Sequence, residues 1–131
     1  MKKSILIAVI IIAVIILAGL YFLGAADNNE EKAKTTAELI AEAFGKEYSR
    51  PANTVIIEVT ADNGSFAKGT ARFAGEASSG VWFAARTING WELASFGNGI
   101  VACNEINKYN FPKDIAPQCI DTENNNNLII R

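Results

Sequence analysis

The sequence predicts an α+β fold: an N-terminal transmembrane helix, then one domain in which a single helix packs on a four-stranded antiparallel sheet. Three observations predict it. The run Ile5–Leu23 holds nineteen residues with no charge, amide or proline. Residues 31–48 then repeat apolar side chains at helical spacing. Residues 54–96 alternate apolar and polar side chains in four runs broken by turn residues.

As a helix, the first run would span roughly 28 Å at ~1.5 Å per residue, close to a ~30 Å hydrocarbon core. Lys2 and Lys3 precede it, and Asp27, Glu30 and Glu31 follow. Positive charge stays inside, so the remainder is expected outside the cytoplasm. The expected organisation is 1–4 cytoplasmic, 5–23 anchor, 24–30 linker, 31–121 extracytoplasmic domain and 122–131 disordered tail. The competing assignment is a cleaved signal peptide ending at Gly24-Ala25-Ala26, which would make the protein secreted. Signal peptides usually carry about 7–15 apolar residues, and this run is longer, so an uncleaved anchor is preferred.

The amphipathic helix places Ala33, Ala37, Ile40, Phe44 and Tyr48 on one stripe, with Lys34, Glu38, Glu42 and Lys46 opposite. Arg50-Pro51 ends it, because the residue before proline avoids the α region. In the first strand Val55, Ile57 and Val59 share a face, and Asp62-Asn63-Gly64 makes the next turn. In the second, Ala67, Gly69, Ala71 and Phe73 line one face; their small size invites a helix to cross there. Residues 75–80 form a loop before the strand 81–88. Asn89-Gly90 predicts a type I′ hairpin turn into the strand 91–96. Beyond Gly97-Asn98-Gly99, Asn104 starts a short helical turn, and Pro112 and Pro117 keep the rest irregular. The asparagine run 124–127 offers no surface to bury, hence the expectation of a disordered tail.

Composition narrows the function. With Lys2 and Lys3 assigned to the cytoplasmic end, 10 basic residues face 14 acidic ones, net −4, which disfavours nucleic acid as a partner. The chain has no histidine, so Ser-His-Asp and Cys-His nucleophile systems are excluded and the commonest metal ligand is missing. No glycine-rich phosphate loop is present, and no cofactor is implied. The carboxylates near regular elements are Glu58, Glu92, Glu105 and Asp114, for which solvation is the plainer role. No enzymatic activity is expected.

Two groups of residues stand out. Cys103 and Cys119 are the only cysteines, and in an oxidising compartment they pair in one way within the chain. The disulfide so formed is expected to be structural, since the spacing is not the C-x-x-C of redox pairs. Lys68, Arg72 and Arg86 are expected to share a sheet face with Trp82 and Phe66, a candidate binding face for an anionic or sugar ligand. The plainer account, and the preferred one, is that their long stems cover apolar surface on an open sheet. Trp91 is expected in the core beside Phe83 and Phe44.

The segments Ala67-Lys68-Gly69, Val81-Trp82-Phe83-Ala84-Ala85-Arg86, Asn89-Gly90-Trp91-Glu92-Leu93 and Gly97-Asn98-Gly99 resemble a family of uncharacterised exported bacterial domains. Cys103, Tyr109-Asn110-Phe111-Pro112 and Cys119 fit the same pattern over residues 35–121, and the resemblance implies small membrane-anchored proteins of reduced-genome bacteria. The order of helix and strands also resembles the cystatin-like and NTF2-like superfolds, which host enzymes, inhibitors and binding modules alike. The expected function is a non-catalytic binding or interaction module at the outer face of the cytoplasmic membrane, with the bilayer, a membrane-proximal protein or a small anionic or sugar ligand as partner. A small NTF2-like hydrolase or ligand-processing enzyme and a cystatin-like protease inhibitor are the alternatives.

Overall fold

The structure is a computed structural model, described here for residues 32–131. Residues 1–4, the apolar segment Ile5–Leu23 and the linker 24–30 lie outside the described residues. Among the described residues no helix is long and apolar enough to cross a membrane.

Helix α1 spans Thr36–Tyr48 and starts later than residue 31, where helical spacing first appears. The reason is a capping box. The Thr35 hydroxyl accepts the Glu38 N–H at 3.3 Å, and the Glu38 carboxylate accepts the Thr35 N–H at 2.7 Å. Two of the orphan donors of the first turn are thereby satisfied. Lys34 reaches Glu42 at 2.6 Å. At the other end Ser49 takes a left-handed conformation (φ 52°), and the Arg50 N–H closes on the Gly45 carbonyl at 3.0 Å. Thr35→Ala should lower domain stability by about 0.5–2 kcal/mol, seen as a lower urea midpoint with unchanged slope.

A 3₁₀ turn at Ala52–Thr54 leads into β1 (Val55–Asp62), followed by β2 (Phe66–Phe73), β3 (Gly80–Thr87) and β4 (Gly90–Gly97). They form a four-stranded antiparallel meander in the order β1-β2-β3-β4. At the first turn the Asp62 carboxylate accepts the Gly64 N–H at 2.7 Å, and Gly64 sits at φ +86°. The β3–β4 hairpin forms where Asn89-Gly90 predicts it, with different turn geometry. Thr87 pairs with Gly90, so Ile88 and Asn89 form the tip, and only Gly90 among these has positive φ, at +102°. That is the pattern of a turn followed by a left-handed glycine bulge, in place of the expected type I′ turn. The Thr87 hydroxyl takes up the Asn89 N–H at 3.1 Å, holding the tip.

The sheet buries both faces. On one, α1 seats the fully buried Ile40 and Phe44 against Val55, Ala67, Ala71, Phe73, Trp82 and Ala84. The small residues of β2 thus lie under the helix, as their size suggests. Phe44 meets Phe96 edge-on at 4.9 Å between centroids, and Tyr48 meets Phe73 at 5.6 Å. On the other face, the C-terminal segment forms a second core of Phe83, Ala85, Val101, Ile106, Phe111, Ile115, Ala116 and Cys119. The face expected to be open is therefore largely covered.

That cover contains helix α2 (Cys103–Asn107) and a two-stranded sheet of β5 (Gln118–Asp121) and β6 (Asn127–Ile130). The Cys103–Cys119 disulfide joins α2 to β5, as expected. Residues 122–131, in contrast, are not a disordered tail. β6 pairs antiparallel with β5, setting Leu128 opposite Ile120 and Ile129 opposite Cys119. The asparagines serve as turn formers here. The Asp121 carboxylate accepts the Asn124 side-chain amide at 2.8 Å and the Glu123 and Asn124 N–H groups at 3.1 and 3.2 Å. Asn125 and Asn126 both adopt φ 56°, a region asparagine tolerates better than most residues. These hydrogen bonds, led by the Asn124 amide, hold the Asp121 carboxyl below its usual range.

Candidate binding groove

The register decides which of the singled-out residues meet. β2 and β3 pair Phe66 with Ala85, Lys68 with Phe83, and Gly69 with Trp82. Directly opposed residues share a face. Phe66, Lys68 and Arg72 therefore point to the C-terminal cover, while Trp82 and Arg86 fall on the helix side. The expected five-residue binding face does not assemble.

Each residue has a definite place. Trp82 is completely buried in the α1 core, and its indole N–H donates to the Thr70 carbonyl at 3.0 Å. Arg86 is exposed and lies across from Trp91 at the tip of the β3–β4 hairpin. Phe66 packs against Phe111 at 4.8 Å between centroids. Arg72 is exposed at the rim of a cavity of about 160 Å³ that includes Glu76, Ser78 and Ser79. Trp91 and Phe44 belong to the same core, whereas Phe83 lies in the other, edge-on to Phe111 at 5.9 Å.

Lys68 is the one that borders a groove. The groove has a volume of about 250 Å³ and runs between the second sheet face and the start of the C-terminal cover. Val81, Phe83, Ile100 and Val101 supply its apolar walls; Lys68, Thr60, Thr70 and Gln118 supply polar groups. The two hydroxyls already donate within the protein, Thr60 to the Lys68 carbonyl and Thr70 to the Glu58 carboxylate, each at 3.2 Å. The donors left for a ligand are the Lys68 ammonium and the Gln118 amide. No carboxylate is among the lining residues. A neighbouring cavity of about 230 Å³ shares Val81, Phe83 and Val101 and adds Ser95 and Glu105, which are hydrogen-bonded at 2.6 Å. Thr60, Thr70 and Gln118 were missed at the sequence level, since nothing local links residues so far apart along the chain.

The carboxylates weighed for chemistry sit on separate elements: Glu58 on β1, Glu92 on β4, Glu105 in α2 and Asp114 in the following loop. Glu92 accepts the Thr87 hydroxyl at 2.8 Å and the Tyr109 hydroxyl at 3.4 Å. The Thr87 hydrogen bond, foremost, holds its carboxyl below the usual glutamate range against an opposing desolvation. Stabilisation from a depressed carboxyl is present above the unfolded pKa and is lost as pH falls through the folded one. A carboxyl shifted downward is ionised at neutral pH and suits no general-acid role there. Among the described residues no group of three or more His, Cys, Asp or Glu side chains could hold a metal ion. No family model, curated protein or solved structure matches the chain.

Proposed function

We propose that this protein is a non-catalytic binding module, held at the outer face of the cytoplasmic membrane by Ile5–Leu23, whose ligand is a small anion or acidic sugar. The observation that carries the ligand class is the lining of the groove: a half-buried lysine beside apolar walls, with no carboxylate among the lining residues and the nearby Glu58 carboxylate engaged by the Thr70 hydroxyl. An anion entering there gains a charge-assisted hydrogen bond from Lys68 while its apolar part lies against Val81, Phe83 and Val101. The disulfide supports the address, since such bonds persist in oxidising compartments. The cystatin-like and NTF2-like resemblances are consistent with one helix on a four-stranded meander, while the second covered face is an addition to that arrangement. An NTF2-like enzyme would need acidic groups converging in its cavity, and the groove lining holds none. A cystatin-like inhibitor would need its glutamine-x-valine-x-glycine hairpin motif, which this sequence lacks.

The test is calorimetric titration of the full chain in phosphatidylcholine nanodiscs with glucuronate, and with glucose as the uncharged control. Glucuronate should bind and glucose should not. Lys68→Gln should weaken binding about tenfold or more, equivalent to ~1.4 kcal/mol. Equal binding of both sugars, or an unaffected Lys68→Gln variant, would reject the groove as an anion site.

A further inference from the structure

We infer that the Lys68 groove is the inner half of a longer track along the second sheet face, ending at Arg72, and that its ligand is an acidic oligosaccharide whose two uronates meet these two cations. The inference deepens the reading of the groove as an anion site and rests on it. Its geometry comes from register. Lys68, Thr70 and Arg72 alternate along β2, and alternate residues of a strand share a face. β3 sets Val81 opposite Thr70, and β4 sets Gly97 opposite Val81, so these lie on that face too. Four residues of strand at ~3.3 Å each put roughly 13 Å between the Lys68 and Arg72 backbones.

The C-terminal cover closes over Phe83 but leaves the other end bare: Arg72, Val81, Gly97 and Ile100 are all exposed. The groove and the cavity at Arg72 are lined by neighbouring residues, Val81 beside Gly80 and Gly99 beside Asn98, so the two abut. Among the described residues neither the Lys68 ammonium nor the Arg72 guanidinium takes part in an ion pair or hydrogen bond. The carboxylates beside the track are engaged. Glu76 accepts from Arg50 at 3.0 Å, Glu58 from the Thr70 hydroxyl at 3.2 Å, and Glu105 from the Ser95 hydroxyl at 2.6 Å. The two cavities add Gln118, Asn98, Ser78 and Ser79, neutral partners for sugar hydroxyls, and the groove adds Val81 and Ile100 for the apolar faces of the rings. An acidic peptide fits less well. β2 is paired on both sides, by β1 and β3, so the track offers no sheet edge to an extended main chain.

The experiment is calorimetric titration of the full chain in phosphatidylcholine nanodiscs, comparing glucuronate with a tetrasaccharide of alternating glucuronate and N-acetylglucosamine. The tetrasaccharide should bind about tenfold or more tighter, because its second uronate reaches Arg72 once the first is held at Lys68. Its carboxyl-reduced form should not bind. Arg72→Gln should bring the tetrasaccharide down to the affinity of glucuronate. Gly97→Leu should do the same by bulk. A Cβ at Gly97 meets nothing within 4 Å, so the new side chain projects into the track and leaves the fold intact. A tetrasaccharide that gains nothing over bound glucuronate, or a gain that survives either variant, overturns the inference while the groove reading stands. Equal binding of the carboxyl-reduced form overturns it too. Tetra-aspartate matching the tetrasaccharide would mean that the track reads charge without reading sugar, with the same consequence. Failure of glucuronate itself to bind removes the groove as an anion site, and this inference with it.

Discussion

Trp82→Ala is expected to lower the stability of the domain by about 3–5 kcal/mol, the largest effect of any single truncation in the α1 core. Trp82 is wholly buried and is the largest fully buried side chain among the described residues. Its removal leaves a cavity beneath the helix-side core that also contains Ile40 and Phe44. It also frees the Thr70 carbonyl from the indole N–H held at 3.0 Å. The site has little means of collapsing around the loss. A Cβ at the opposing Gly69 would meet the Glu58 carbonyl oxygen and come within 2.8 Å of Trp82 Cζ2, so the indole fills space that only a glycine leaves free. Against a typical total of about 5–15 kcal/mol for a domain, such a loss is a large share. Chemical denaturation followed by far-ultraviolet circular dichroism is the check, with Trp82→Phe as companion. The phenyl ring should recover part of the packing but not the hydrogen bond, leaving an intermediate deficit of about 1–3 kcal/mol. A deficit below about 1 kcal/mol for Trp82→Ala would mean that the helix is not sealed on the sheet by this residue.

The assignment of Trp82 shows how far the sequence could be read. Alternation within each strand was legible: Val55 is buried while Ile56 and Glu58 are exposed, and Ala67, Gly69, Ala71 and Phe73 are buried in step. Alternation does not say which phase of one strand joins which phase of the next. That depends on register, and a shift of one residue moves every side chain to the other face. A local clue existed in the sequence, since Gly69 and its small neighbours leave room for one bulky side chain opposite. The capping box was not read, although Thr35-Thr36-Ala37-Glu38 carries the T-x-x-E signature that places the helix start after residue 35.

The C-terminal third was harder for a different reason. Its apolar residues, Ile106, Phe111, Ile115 and Ala116, are spaced with neither helical nor strand period, yet all are buried. They find their surface on the far side of the sheet, a long-range partner that no local pattern announces. Asparagines 124–127 look solvated by composition, but two of them supply the left-handed backbone that lets β6 turn back onto β5. The groove inherits the same difficulty. Lys68 and Thr70 come from β2 and Gln118 from β5, and only the folded cover brings them to one cavity.

That cover is fastened covalently, and replacing Cys103 and Cys119 together by serine is expected to cost about 2–4 kcal/mol. The disulfide closes a loop of sequence separation 16 and ties α2 to β5. Without it, the segment keeps its buried Ile106, Phe111 and Ile115, so local opening should precede global unfolding. Opening would lift Phe111 off Phe66 and Phe83, whose rings it meets at 4.8 and 5.9 Å. It would also loosen Val101 and Gln118, which wall the groove, so affinity for the proposed anionic ligand should fall together with stability. Limited proteolysis should cut the variant first between Asn104 and Gln118, while α1 and the β3–β4 hairpin stay protected. Intact mass of the protein recovered from cells should be two hydrogens below that of the reduced form. If cutting begins instead in the meander, the cover is not a separate opening unit. If both thiols are free in that material, the disulfide is absent where the protein works, and the proposed placement of the domain outside the cytoplasm falls with it, because the oxidising compartment is what makes the bond persist.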